Sequence, residues 1–523
     1  MREFNVTGIC VPKKHYMVDI TSKLEQIKVM VDKDKYFTIN RGRQYGKTTT
    51  LSMLRRFLVD DYIVILISFE GWGEENFANA DMFCQGFLTS IRESLEFSGF
   101  SETEQAKWKD ESIKDFLALG RHIRKICQNP DSKYVLMIDE VDKASNNIVF
   151  LNFLSKLRDK YNAREDERDF TFHSVILAGV YDIKNIKLKM ITEGLYIPTT
   201  SETGTHNSPW NIAVSFEVDM SFSPAEIMTM LNSYEADHKT GMDVDALAQE
   251  IHFYTNGYPV LVSKICQYID VKLKDWHVEG VREAVRLLLN ETDNPLFRGI
   301  SQNLESHEEI YRLLYDVLIL GIRRSFSTVN PAIDLAYRYN YIKESKGSVK
   351  VSNKIFEIIM ADYFISKDEG KDETVLRGGL IPEITKGGRF NMQMCLERFL
   401  IHWQELYSEK RHKFFERECR LIFLTYLKPL LNGVGFYQIE SSLTDDRRMD
   451  LVVIYGKERF VLELKTWKGK LYHEDGIEQL LGYMEKLNEN KGYLLTFDFR
   501  KQKKEQKSGW TNVDGKQIFK AQV

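Results

Sequence analysis

Short apolar runs alternate with helical patterns along the first half of the chain. The runs have the composition of buried β-strands, and in the stretches between them apolar residues recur every three or four positions. Alternation of strand and helix predicts a parallel sheet covered on both faces, so the predicted fold class is α/β. The predicted strands are 35–40, 62–69, 134–138, 174–178 and 212–216.

A phosphate-binding motif follows the first of these runs. Residues 41–48 read Arg-Gly-Arg-Gln-Tyr-Gly-Lys-Thr, and a helical pattern begins directly after them. Gly-Lys-Thr between a strand and a helix is the arrangement that holds nucleotide phosphates through backbone N–H groups, the lysine charge and a hydroxyl that can bind Mg²⁺. The candidate nucleotide-binding residues are Gly42, Tyr45, Gly46, Lys47, Thr48 and Thr49.

Arg41 stands where the consensus motif has its first glycine. The motif therefore predicts nucleotide binding and leaves the rate of hydrolysis open, because loop geometry sets how the γ-phosphate lies. A chance Gly-Lys-Thr at the start of a helix is the alternative interpretation.

Two carboxylates end the apolar run at 134–138. Asp139 would help to hold Mg²⁺, and Glu140 could polarise the attacking water. A strand that ends in a solvated acidic turn is a common alternative. The order of the two motifs, with the acidic pair after a Gly-Lys-Thr loop, favours a nucleotide site.

These motifs resemble those of the additional-strand P-loop ATPases, and more narrowly the AAA-like ATPases close to archaeal and STAND-type members, over about residues 1–365. The resemblance implies ATP and Mg²⁺ as cofactors, a sensor at Asp182 and a lid proline, Pro259, near the base. Asp182 can instead cap a helix, and Pro259 can simply begin one. The implied domains are an ATPase core at 1–220, a helical lid at 221–300, and a winged-helix module with a linker at 301–375.

A β-hairpin pattern dominates the region after the polar stretch 366–388. If Gly456 and Lys457 form a two-residue turn, Asp450 lies directly opposite Glu463. Directly opposed residues have Cβ atoms about 4.5–5.5 Å apart, so the two carboxylates can share one divalent cation. Lys465 projects from the same face as Glu463 because the side-chain period of a strand is two residues.

That geometry predicts a metal-dependent nuclease site. Asp450 and Glu463 would hold Mg²⁺ or Mn²⁺, and Lys465 would orient the attacking water or stabilise the developing negative charge. A solvated charged face is the alternative interpretation of the Glu-Leu-Lys pattern.

The constellation resembles the PD-(D/E)xK nuclease superfamily, and the predicted nuclease-like α/β domain spans 376–523. Gln479 and Tyr483 match the Gln-x-x-x-Tyr helix of many members, whereas Met449 stands where the name-giving proline would be. By the same resemblance Gln479 joins the candidate catalytic residues. Further candidate acids and ligands are Glu418, the weaker Glu440, and His473, although a lone loop histidine is more often solvated.

Composition limits the partners and the cellular compartment that can be expected for the chain. The 523 residues carry a formal net charge of −4, so any nucleic-acid contact must come from a local patch. The six cysteines form no C-x-x-C pair, which argues against a disulfide framework or a zinc site. With no apolar run long enough to span a bilayer, we expect a cytoplasmic protein without a membrane partner. Nucleic acid, with DNA favoured, is the expected partner; self-association and the trigger stay open.

The leading hypothesis is an ATP-binding, nucleotide-regulated nuclease, and relatives with this domain pairing are associated by resemblance with bacterial defence against foreign DNA. One alternative is a nucleotide-dependent signalling switch whose nuclease-fold domain binds without cleaving. Another is an ATPase remodeler whose C-terminal domain recognises partners.

Overall fold

The structure is a computed structural model in which the chain divides into two units, Met1–Phe222 and Ser223–Val523. The described residues are 2–42, 44–144, 147–179, 210–319, 322–369, 384–385, 388–407, 416–431, 434–441, 449–467, 470–498 and 508–523.

A parallel four-stranded sheet organises the first unit. Its strands are β1 (Tyr36–Asn40), β2 (Ile63–Ser68), β3 (Tyr134–Asp139) and β4 (Ser174–Gly179). Their order is β1-β4-β3-β2, so β4 lies between the strand before the phosphate loop and the strand that ends in Asp139. The α/β class and the parallel sheet are as the alternating pattern predicts.

The predicted strand at 212–216 is wrong. This segment contributes a single bridge, between Phe37 and Val214. A turn closed by a hydrogen bond from Ala213 N to the Trp210 carbonyl leads the chain to the sheet edge, and the Trp210 indole N–H donates to Thr38 Oγ1 at 3.1 Å. The chain therefore meets β1 at one point and extends no ladder along it.

Helices flank the sheet of the first unit, and side-chain caps fix where several of them begin. Asp115 accepts a hydrogen bond from Ala118 N at 2.7 Å, for example, and so satisfies a backbone donor in the first turn. The helices are α1 (Thr21–Asp32), α2 (Lys47–Leu58), α3 (Ala80–Phe97), α4 (Glu102–Ala106), α5 (Phe116–Cys127) and α6 (Ile148–Glu165), with 3₁₀ turns at Glu74–Phe77 and Val141–Ala144.

The second unit begins with helices. Ser223 and Glu226 form a reciprocal capping box at the start of the first, with Pro224 at a position where its missing N–H costs nothing. The helices are α7 (Pro224–His238), α8 (Val244–Thr255), α9 (Pro259–Tyr268), α10 (Val278–Leu289), α11 (Pro295–Ser306), α12 (Glu308–Leu318), α13 (Pro331–Arg338) and α14 (Lys354–Glu369), with a π-helical turn at Ile269–Leu273. A hairpin of β5 (Ile342–Ser345) and β6 (Ser348–Val351) lies between α13 and α14.

A six-stranded sheet forms the C-terminal part of the second unit. Its strands are β7 (Gly435–Ser441), β8 (Met449–Tyr455), β9 (Glu458–Thr466), β10 (Lys491–Phe497), β11 (Gly509–Val513) and β12 (Lys516–Gln522). The order is β11-β12-β10-β9-β8-β7. Strands β7, β8 and β9 are antiparallel, whereas β10 is parallel to β9 because a helix joins them.

Three helices accompany this sheet: α15 (Met392–Tyr407), α16 (Glu416–Leu431) and α17 (Lys470–Lys486). Phe399 and Trp403 of α15 contact Phe497 on one face. On the other face Leu480 and Met484 of α17 pack in a cluster with Val461 and Leu494. The polar stretch 366–388 predicts a linker, but the start of that linker is wrong, because α14 continues through residue 369. No described helix is long and apolar enough to cross a membrane.

Aromatic packing holds the first unit together next to the end of β2. The fully buried Phe69 lies 5.6 Å, between ring centroids, from both Phe77 and Phe150, in edge-on geometry, and 4.6 Å from Trp72. Such aromatic pairs add to the stabilisation from burial.

We expect Phe69→Ala to lower the free energy of unfolding of the first unit by about 3–5 kcal/mol, because it leaves a cavity within this cluster. Denaturant unfolding of the full chain measures the change. Phe97→Ala is the matched control, since the Phe97 side chain is 78% exposed. An equal loss of stability in both variants would contradict the assignment of Phe69 to the core.

Candidate functional site

The phosphate loop begins where β1 ends. Gly46 precedes the first residue of α2 with φ +76°, a left-handed conformation that other residues adopt with strain. Its carbonyl accepts a hydrogen bond from Thr50 N at 2.8 Å. Glycine gives α2 no side-chain cap, and the N-terminus of a helix attracts anions through its N–H groups.

Lys47 is held within this loop. Its Nζ donates to the carbonyl oxygens of Arg41 at 3.0 Å and Gly42 at 3.1 Å, and the side chain is 8% exposed. Gly42 is buried and Tyr45 is half-buried. The positive charge therefore lies inside the curve of the loop. This is the position at which the lysine of the consensus motif contacts the terminal phosphates of a nucleotide.

Thr48 and Thr49 have different partners. The Thr48 hydroxyl lies close enough to the carboxylate of Asp139 to lower the pKa of that group. Thr49 Oγ1 accepts a hydrogen bond from Cys10 N at 3.1 Å, which fastens the N-terminal segment to α2. Of the two hydroxyls, Thr48 therefore has the position expected of a Mg²⁺ ligand, and Thr49 has a structural partner.

Asp139 ends β3 in the interior. The side chain is 3% exposed, and burial raises its pKa, while the nearby Thr48 hydroxyl and the charge of Lys47 act in the opposite direction. Strand register places Asp139 beside Ser68 of β2. Thr48, Lys47 and Asp139 thus converge, although β4 separates β3 from β1.

Glu140 has a strained backbone. Its φ is +53°, uncommon for a residue with a side chain, and its N–H donates to Asp139 Oδ1 at 2.9 Å. Burial raises its pKa, and the neighbouring charge of Asp139 raises it further. A carboxylate with a raised pKa beside a phosphate loop has the property required of a group that accepts a proton from water.

Thr48 and Asp139 fit a magnesium ion bound with a nucleotide. Both offer oxygen ligands, and Mg²⁺ in such sites typically takes one or two protein ligands and fills its other positions with phosphates and water. Asp182 lies outside the described residues.

Pro259 is the first residue of α9 in the second unit, and its neighbours contact other parts of that unit. Lys343 of β5 donates to Asn256 Oδ1 at 2.6 Å, and the ring of Tyr258 lies 5.1 Å from that of Phe356 in α14. The segment 256–259 therefore joins α8 and α9 to the hairpin and to α14.

The C-terminal hairpin has the predicted register. Asp450 is the Cα partner of Glu463, and residues 456–457 form the turn, with Gly456 at φ +58°. The backbone of Glu440 in β7 pairs with Asp450 from the other side. The side chains of Glu418, Glu440, Asp450 and His473 lie outside the described residues.

Glu463 and Lys465 are buried together. They are 0% and 2% exposed, and Lys465 Nζ lies 2.9 Å from Glu463 Oε1. The same Nζ donates to Gln479 Oε1 of α17 at 2.7 Å. The structure thus brings together three of the predicted catalytic residues, because α17 crosses the face from which the two strand residues project.

Two further residues at this face are not among those predicted from the sequence. A Cβ atom at Gly476 would lie 2.7 Å from Lys465 Cε, so the absence of a side chain there lets α17 approach the lysine. Asp498 follows β10 and is 3% exposed; it accepts a hydrogen bond from Gln522 Nε2 at 2.7 Å. The only sequence signal for Gly476 is its position one turn before Gln479.

Two carboxylate positions in direct register, Asp450 and Glu463, suit a hard cation such as Mg²⁺ or Mn²⁺. Among the described side chains, no group of three or more His, Cys, Asp or Glu residues could hold a metal ion. A cation here would therefore depend on the Asp450 position, on phosphate oxygens and on water.

Comparisons with known proteins give fold-level likenesses alone. No family model matches the chain, and no curated protein does. A Walker-type ATPase of Pyrococcus abyssi has 12% identity and a TM-score of 0.47, over 68% of this chain and 99% of that one. The ORC2 protein of Aeropyrum pernix, in ADPNP and ADP complexes, has 10% identity and a TM-score of 0.37, over 70% and 98%.

The Cdc6p protein of Pyrobaculum aerophilum has 14% identity and a TM-score of 0.30, over 70% of this chain and 97% of that one. TM-scores below 0.5 carry no conclusion about this chain.

We expect Asp139→Asn to stabilise the first unit while weakening Mg²⁺ binding. Burial raises the pKa of Asp139, so the carboxyl group of Asp139 binds its proton more tightly in the folded chain than in the unfolded chain. The ionised carboxylate therefore lowers the free energy of unfolding. The variant should exceed wild type in free energy of unfolding at about pH 8, and the difference should shrink toward about pH 4, where unfolded Asp also becomes protonated. The Mg²⁺ concentration required for ATP binding should rise roughly 10-fold or more.

Denaturant unfolding across this pH range and titration calorimetry measure the two effects. Asp131→Asn, at an exposed position in the loop before β3, is the control. A lower stability of Asp139→Asn at the higher pH would show that hydrogen bonds to the ionised carboxylate outweigh its burial.

Proposed function

We propose that this chain is a nucleotide-binding P-loop protein whose nucleotide state controls a metal-dependent nuclease in its C-terminal domain. The observation that carries the nucleotide part is the convergence of Lys47, Thr48 and Asp139 at the ends of β1 and β3. The observation that carries the nuclease part is the buried pair of Glu463 and Lys465, with Gln479 bonded to the lysine, beside the Asp450 position.

At the phosphate loop, ATP would meet backbone N–H groups, the Lys47 charge and the Thr48 hydroxyl. Mg²⁺, when bound by Thr48, Asp139 and the nucleotide, would neutralise phosphate charge. Glu140 would orient and deprotonate the attacking water, a task suited to a carboxylate whose pKa is raised.

At the C-terminal site, the chain's own residues would act on a nucleic-acid phosphodiester. Gln479 fixes the Lys465 ammonium beside Glu463, so the positive charge is oriented before the substrate binds. Lys465 would stabilise the negative charge that develops on the phosphate, or orient the attacking water. A divalent cation held by Asp450 and Glu463 would supply a Lewis acid and an activated water.

Contacts within the second unit support control of this site by the lid. Tyr254 of α8 lies 6.4 Å from Phe436 of β7, measured between ring centroids. Tyr437 of β7 donates its hydroxyl hydrogen to Asp362 Oδ1 of α14 at 3.0 Å. The predicted lid (221–300), through Tyr254, and the predicted winged-helix module with its linker (301–375), through Asp362, therefore both contact β7.

Strand β7 in turn pairs with β8 along its whole length. Glu440, the register partner of Asp450, is three residues beyond Tyr437, which is about 10 Å along a strand. A shift of α14 against β7 would thus move the backbone beside the candidate metal position. This is the physical basis for the proposed control.

We expect Glu463→Gln to lower the rate of Mn²⁺-dependent cleavage by about 100-fold or more, because it removes a cation ligand and the charge partner of Lys465. A panel of single- and double-stranded DNA and RNA substrates measures the activity. Glu478→Gln, an exposed neighbour of Gln479 on α17, is the matched control.

Unchanged cleavage by Glu463→Gln, with an unfolding midpoint like that of wild type, would exclude the proposed nuclease site. Nucleic-acid binding by wild type without cleavage would select the alternative of a non-catalytic switch.

We expect ATP to change the cleavage rate of wild type by at least about 5-fold, the usual scale of coupling between two sites. Lys47→Ala should abolish ATP binding and the effect together. Tyr437→Phe should keep ATP binding and reduce the effect, because it removes the hydrogen bond to α14.

Cleavage assays with and without ATP, combined with calorimetric measurement of ATP affinity, separate these outcomes. Tyr455→Phe removes a hydroxyl from the adjacent strand β8 and is the matched control. If Lys47→Ala lost ATP binding but kept the regulation of cleavage, the proposed coupling would be wrong.

A further inference from the structure

Arg41, the residue in place of the first consensus glycine, belongs to the phosphate loop through its main chain. Its N–H donates to the Gly179 carbonyl at the end of β4 at 3.2 Å. Its carbonyl accepts the hydrogen bond from Lys47 Nζ at 3.0 Å. The backbone of Arg41 is thus fixed on one side to the inner strand β4 and on the other to Lys47.

The side chain of Arg41 extends to a different segment. Its Nη2 donates to the Val218 carbonyl at 3.1 Å, and the guanidinium lies 5.7 Å from the ring centroid of Phe216. Residues 216–222, here called the junction, end the first unit and continue directly into Ser223, the first residue of the second. A glycine at position 41 could make neither contact.

Lys23 of α1 holds the other end of the junction. Its Nζ donates to the Ser221 carbonyl at 2.7 Å and lies 5.6 Å from the ring centroid of Phe222. Two cationic side chains therefore bind the junction through carbonyl and aromatic groups, and such charge-assisted contacts are stronger than neutral ones. Of the two, Arg41 alone is part of the phosphate loop.

We infer that Arg41 is a positioning residue that links occupancy of the phosphate loop to the junction, an inference that rests on the nucleotide binding proposed above. A phosphate attracts the Lys47 ammonium more strongly than a neutral carbonyl does, so binding weakens the Lys47 hydrogen bond to Arg41. The Arg41 backbone then loses one of its two anchors, and its guanidinium carries the change to Val218. Nucleotide binding can shift the junction because Arg41 has different contacts in the two states.

Hydrogen–deuterium exchange of the full-length chain, with and without Mg²⁺ and ATP, tests this link. In wild type, ATP should change amide exchange in residues 216–222. Arg41→Gly should raise basal exchange there about 10-fold, bind ATP within about 3-fold of the wild-type affinity, and lose the ATP-dependent change. Arg41→Lys, which keeps a positive donor, should restore part of that change.

Lys23→Met is the matched control. It should raise basal exchange of the junction in the same way, because it removes the second anchor, yet keep the ATP-dependent change. If Arg41→Gly transmitted the change normally, or if wild type bound ATP with no change in the junction, the role of Arg41 would be refuted while nucleotide binding stood. If wild type failed to bind ATP, the proposed function itself would fall.

Discussion

Both candidate sites depend on keeping charged groups out of water without leaving them uncompensated. Lys47, Asp139, Glu463 and Lys465 are all more than nine-tenths buried. An ionised group costs several kcal/mol or more to bury alone, so each requires a partner of opposite charge or a set of oriented dipoles. Lys47 has two loop carbonyls, Asp139 has the Thr48 hydroxyl, and Glu463 has Lys465.

This constraint explains why the surrounding backbone is so specialised. Gly46 and Glu140 both have positive φ, and each adjoins one of the buried charges, Lys47 or Asp139. Gly476 lacks the side chain that would displace Lys465. Unusual backbone conformation and close packing therefore occur next to the buried charges, and strained residues in proteins cluster at such sites.

Much of this could be predicted from sequence because it depends on local periodicity. The strands that precede Lys47 and end at Asp139 follow from apolar runs, and the pairing of Asp450 with Glu463 follows from a two-residue turn. Gln479 could be predicted as a site residue only from a resemblance, and its contact with Lys465 could not be predicted, since it joins a strand to a helix whose packing angle no local pattern specifies. The partners of Arg41 could not be predicted, because Val218 lies 177 residues away along the chain. Likewise, the segment 212–216 has the composition of a strand, but a turn anchored by Trp210 limits it to one bridge.

The length of the turn at Gly456 and Lys457 limits the insertions and deletions that the hairpin can accept. Substitutions along β8 and β9 change one side chain at a time, but a single-residue insertion or deletion at the turn shifts the whole register. Because strand side chains alternate between faces, such a shift would place Leu462 or Leu464 where Glu463 now lies and turn the acid into the apolar layer beside α15 and α16. The number of residues between Asp450 and Glu463 therefore fixes which side chains face each other. In homologous chains that retain the acidic pair, we expect the residues between the two acids to vary in identity but not in number.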